Sequence, residues 1–164
     1  MLIALLIASA ATPEVVGAWK ISEGADVMTD KREPQGQVYS EEGNALLSFT
    51  CSDAGRSNAP VRFMLTTDQF LGDSSTYQGR GRREIMFRIE SEPAEKLWWY
   101  YGDRSAFTLD MPAVSEFGNI LRRGNKLLAR AITYRGHQVD ATFDVSGASE
   151  MIDRVKFLCR KDSP

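Results

Sequence analysis

Apolar and polar residues alternate with a period of two along much of this chain, the pattern of half-buried β-strands whose successive side chains point to opposite faces. In Ala45–Cys51 the inward positions are Leu47, Phe49 and Cys51. Val61, Phe63 and Leu65 alternate with Arg62, Met64 and Thr66, and Ile85, Phe87 and Ile89 with Glu84, Met86, Arg88 and Glu90. Val139, Ala141, Phe143 and Val145 alternate with Asp140, Thr142 and Asp144. The strand-like stretch Lys126–Tyr134 precedes this last run and joins it through Arg135-Gly136-His137-Gln138, which predicts an antiparallel hairpin. Further strands are expected at 18–23, 37–40, 96–101 and 106–109.

The period changes in two places. From Pro112 to Arg123 the apolar positions Val114, Phe117, Ile120 and Leu121 fall on one helical face, with Asp110 as a cap, Arg122 and Arg123 at the negative end of the dipole and Gly124 as the stop. From about 147 to 159, Ala148, Met151, Ile152, Val155, Leu158 and Cys159 form a second stripe. With no linker or internal repeat, the order of elements predicts one mainly β domain: an antiparallel β-sandwich or a strongly curled sheet, with helices at 112–123 and 147–159 packed on it. The longest loops are expected at 52–60 and 68–81.

The first eleven residues are read separately. An apolar run from Leu2 to Ala8 ends in Ala8-Ser9-Ala10-Ala11, the small-residue pattern of a secretory cleavage site, so residues 1–11 are expected to be a signal peptide and 12–164 the mature domain. No Lys or Arg precedes the run, and the competing reading is a buried N-terminal strand. At about ten residues it falls well short of the roughly 20 that cross a bilayer, and no membrane span is expected elsewhere. Export would place Cys51 and Cys159 in an oxidising compartment, and both lie on inward faces, which predicts a disulfide pinning the last helix to the sheet.

Composition narrows the function. The net charge is −2 with 43% hydrophobic residues. The first 74 residues hold 5 basic and 10 acidic side chains and the remainder 15 and 12, an excess too small for a nucleic-acid binder. Arg80, Arg82, Arg83 and Arg88 are read as a solvated face. The single histidine, His137, sits in the hairpin turn as a loop residue. Asp140 and Asp144 share the outward side of one strand and are read as a polar sheet face rather than paired acids or half of a calcium site. Ser146-Gly147-Ala148-Ser149 is read as a plain helix cap. No metal site, cofactor or catalytic constellation is expected.

One segment stands apart. In Lys96-Leu-Trp-Trp-Tyr-Tyr-Gly102 a strand sends Trp98 and Tyr100 one way and Trp99 and Tyr101 the other. Either one pair is exposed as a contact for a protein or a glycan, or both faces of the sheet are covered. The four aromatics are the candidate binding residues.

The run Asn119-Ile-Leu-Arg-Arg-Gly-Asn-Lys-Leu-Leu-Ala-Arg130, then the hairpin, then Ala141-Thr-Phe-Asp-Val-Ser-Gly147 and an amphipathic helix ending in Cys159, resembles the C-terminal half of the VasI/TagO-type proteins associated with type VI secretion. Trp19, the Asp30 segment, Cys51 and the strand 84–90 follow the same order, although the ending Cys-Arg-Lys-Asp departs from the Cys-Trp close of that pattern. The phrase Thr-Phe-Asp-Val-Ser-Gly also occurs in small exported β-domains resembling invasion-associated proteins. The resemblance implies a non-catalytic periplasmic accessory or adaptor whose partner is another envelope protein; an exported hydrolase inhibitor or cell-wall-glycan-binding module is the alternative.

Overall fold

The computed structural model describes residues 13–56, 58–72 and 82–160 of the 164-residue chain. The expected signal segment and Arg80 lie outside the described residues. Among the described residues, ten strands and two helices follow in the order β1 (Glu14–Val16), β2 (Trp19–Ala25), β3 (Arg32–Tyr39), β4 (Ala45–Cys51), β5 (Val61–Thr67), β6 (Arg82–Ile89), β7 (Glu95–Gly102), β8 (Ser105–Phe107), α1 (Met111–Leu121), β9 (Lys126–Ile132), β10 (Gln138–Asp144) and α2 (Ala148–Arg160). All strands belong to one antiparallel sheet, ordered β1-β2-β3-β4-β5-β8-β7-β6-β9-β10. The curled sheet is therefore the architecture, and the sandwich is not. β1 is an addition that the alternation did not signal, being only three residues long.

The period-two pattern works as expected. Leu47, Phe49, Cys51, Phe63, Leu65, Ile85, Phe87, Leu97 and Trp99 all point inward and are buried, and both helices cover this inner face. α1 brings Phe117 to within 4.9 Å of Phe63 and 4.4 Å of Phe87, ring centre to ring centre. α2 lies across β2, β3 and β4. Its close approach depends on Gly36, where an added Cβ would stand 2.5 Å from Met151 Sδ. α1 starts on the Asp110 cap, whose Oδ1 accepts the Ala113 N–H at 2.9 Å. Arg122 and Arg123 lie beyond its last residue, so they act through ion pairs rather than on the last turn: Arg122 with Asp153, Arg123 with Glu92 and Glu95.

The curl brings the two ends of the sheet together without a closing ladder. The Ala18 N–H donates to Ser146 O at 3.1 Å, Glu41 N–H to Thr142 O at 2.7 Å and Asn44 Nδ2 to Asp140 O at 3.1 Å. The Glu42 carboxylate accepts the Thr142 N–H at 2.9 Å. Where the ends cross, Gly147 (φ +80°) passes so close to Val16 that a Cβ would fall 2.8 Å from its carbonyl oxygen. The positive φ and the close backbone approach require glycine there.

Candidate binding surface

β7 is held by β6 on one side in the register Arg82↔Tyr100, Arg83↔Trp99 and Glu84↔Trp98, and by β8 on the other at Tyr100↔Phe107. That register divides the four candidate aromatics. Trp99 and Tyr101 are wholly buried. The Trp99 ring centre lies 5.1 Å from Phe87 and 4.9 Å from Phe117, the second edge-on, and its indole N–H has no acceptor among the described residues. The Tyr101 hydroxyl donates to Glu84 O at 3.1 Å. Burial pushes its pKa up to about 12, opposed in part by the nearby Arg83 charge.

The other pair faces out. Trp98 is 58% exposed, beside the Lys96–Glu84 ion pair at 3.1 Å. Tyr100 stacks on Phe107 at 6.3 Å and 26°, and the Arg82 guanidinium sits 5.3 Å above its ring. Met64, Phe107, Tyr100 and Arg82 are in register across β5, β8, β7 and β6. The outer face thus carries a band of apolar and aromatic surface ending in an exposed indole, with charge on its flanks.

Arg83 departs from the solvated face assigned to the arginines. It takes the inward parity of Ile85 and Phe87, and its guanidinium donates to the carbonyls of Leu71 (2.6 Å), Ile132 (2.9 Å) and Thr133 (3.1 Å) while lying 4.6 Å from the Tyr101 ring centre. It plugs one end of the core. The strand's own alternation, extended two residues back from Ile85, carried that signal. Arg82 and Arg88 are exposed, as the surface reading requires.

The remaining polar candidates stay separate. Asp140 is clasped by Arg130 through two 2.6 Å bonds, which hold its carboxyl below the usual range. Asp144 accepts the Ser146 N–H at 2.9 Å and is lowered mainly by that bond. Both are surface groups of β10. His137 is exposed in the β9–β10 turn, where its carbonyl accepts the Thr133 N–H. Among the described residues no group of three His, Cys, Asp or Glu side chains is placed to hold a metal ion.

Cys51 and Cys159 form the expected disulfide, with Cα atoms 5.9 Å apart. No helix among the described residues is long and apolar enough to cross a membrane. Beside the disulfide lies a feature that no sequence pattern signalled: a groove of about 420 Å³ between the start of β5, the Leu109–Met111 segment and the end of α2. Leu109 and Met111 are 47% and 53% exposed. They come together only because β8 is short and the chain turns into α1 after it.

A crystal structure of invasion associated protein B from Bartonella henselae has a similar fold, with a TM-score of 0.57 over 92% of this chain and 100% of that one. The shared property is the fold. Identity is 12%, too low to carry residues or activity across. No family model and no curated protein matches the chain.

Proposed function

We propose that this chain is a non-catalytic accessory or adaptor protein of the cell envelope, exported by residues 1–11, that holds another envelope protein through the outer face of β7. The observation that carries this reading is Trp98, an indole 58% exposed on a strand whose neighbouring Trp99 is fully buried. Leaving so large an apolar side chain on the outer sheet face buries little area on folding, whereas Trp and Tyr dominate the contacts that hold protein partners. The disulfide supports the compartment, since such bonds persist outside the reducing cytoplasm. The resemblance to VasI/TagO-type proteins makes a type VI secretion complex the assembly to examine first.

The test separates the two faces of one strand. Trp98→Ala should leave the melting temperature within a degree or two of the parent, yet abolish capture of the partner in a pull-down from periplasmic extract; central interface aromatics commonly cost about 2 kcal/mol or more on truncation, near thirtyfold in affinity. Trp99→Ala should lower stability by about 3–5 kcal/mol. Unaltered capture by Trp98→Ala would remove β7 from the interface. Loss of peptidoglycan pelleting, with protein capture intact, would establish the glycan module instead.

A further inference from the structure

The groove beside the disulfide combines three properties. Its floor is apolar, made by Val61, Leu109 and Met111, and its rim carries Arg56, Lys156 and Arg160 with no carboxylate in the lining among the described residues. Arg56 has one loose partner, Asp53 at 3.8 Å, while Lys156 and Arg160 have no ion pair among the described residues. Phe157, 59% exposed, extends the apolar surface along α2 between these two cations, and the Asp153 carboxylate that borders this extension is paired with Arg122 at 3.6 Å.

The third property is an open piece of sheet edge. Pro60 O accepts from Ser52 on the β4 side, whereas Phe63 turns both its N–H and its C=O to Thr108. Backbone direction alternates along a strand, so Val61 also faces away from β4, toward the side where β8 would continue. β8 has ended at Phe107, and Asp110 starts a helix rather than pairing. The N–H and C=O of Val61, a groove-lining residue, therefore have no partner among the described residues.

We propose that this groove binds an extended acidic segment of a partner protein. The segment would add to the sheet edge at Val61, seat an apolar side chain against Leu109 and Met111, and set its carboxylates on Lys156, Arg160 and Arg56. Main-chain pairing at an open edge supplies affinity and the flanking pockets supply selectivity. The cationic rim, led by Lys156 and Arg160, selects the charge and raises the association rate. The site is separate from Trp98, and stands independently of the role assigned to β7.

The probe is a fluorescein-labelled heptapeptide of alternating glutamate and valine, titrated into the mature disulfide-bonded protein by fluorescence anisotropy, with amide shifts followed by NMR. Saturable binding should weaken at least tenfold in Lys156→Glu/Arg160→Glu, weaken with added salt, perturb the Val61 amide and persist in Trp98→Ala. Arg160 is exposed and Lys156 half-buried with no ion pair among the described residues, so the double variant should melt like the parent; if it does not, Lys156→Gln/Arg160→Gln replaces it with the same expected direction. Equal binding of a lysine–valine heptapeptide, undiminished binding by the variant, or shifts confined to β7 would each overturn the proposal. So would vesicles of phosphatidylglycerol binding the protein while the acidic peptide does not, an outcome that would make the rim a lipid contact.

Discussion

Neighbouring residues in this chain have opposite fates, and the cause is geometric rather than chemical. Trp98 and Trp99 are the same amino acid one position apart; one is surface and the other core because successive side chains of a strand point to opposite faces of the sheet. Arg83 shows the same rule overriding chemistry. An arginine is placed inward by parity and satisfied there by three carbonyl oxygens rather than by an acid. Beside it, Tyr101 supplies a pH test. Its neutral form is favoured in the fold, so its folded pKa, about 12, is raised over the ordinary tyrosine value near 10. The associated stability is complete below about pH 10 and lost as pH climbs through about 12. Urea midpoints measured from about pH 9 to 12 should fall more steeply for the parent protein than for Tyr101→Phe, which has no phenol to ionise. Parallel slopes would show that Tyr101 does not drive alkaline unfolding.

Among the elements, α2 is held twice. Met151, Ile152, Val155 and Leu158 bury its inner stripe, and the Cys51–Cys159 bond ties its last turn to β4. Arg32 Nη2 donates to Leu158 O at 2.8 Å and Gly55 N–H to Cys159 O at 2.8 Å, so the exposed carbonyls at its end also have donors. Closing a loop across a sequence separation of 108 residues constrains the unfolded chain by about 4 to 5 kcal/mol in the chain-entropy model. Replacing both cysteines by alanine should accordingly lower the unfolding free energy by about 3–4 kcal/mol in urea titrations. The helix content seen by far-UV circular dichroism should remain, because the apolar stripe is intact. Loss of that helical signal at low denaturant would mean that the bond, and not the stripe, docks α2.

At the scale of the whole molecule, the sheet avoids an exposed long edge by curling until the β3–β4 turn covers β10 and the β1–β2 turn meets the start of α2. Glu42 is the charged member of this closure. Its pKa is lowered, chiefly by the bond from the Thr142 N–H, so its contribution is present above the ordinary glutamate value and lost as pH falls through the lower folded one. Amide exchange at Thr142 should be faster in Glu42→Ala than in the parent at neutral pH, and the two should converge as acid protonates the Glu42 carboxylate. A difference that persisted in acid would assign the protection to backbone pairing alone.

Much of this was legible in the residues themselves. The alternating runs specify β4, β5, β6 and β10, the hairpin turn joins β9 to β10, and the 3.6-residue stripes specify both helices, because each pattern reports which side of one element avoids water. The disulfide followed from two inward cysteines, and the division of Trp98–Tyr101 into two faces from strand parity. What parity could not decide was which of those faces is covered; that needed the helices placed on one side of the sheet. The choice of a curled sheet over a sandwich, the pairing of β6 with β9 across intervening elements, the inward plug of Arg83 and the cationic groove at the end of α2 all depend on residues far apart in the chain. Local periodicity holds no information on such meetings, because they are set by how ten strands twist and by where one short strand, β8, stops.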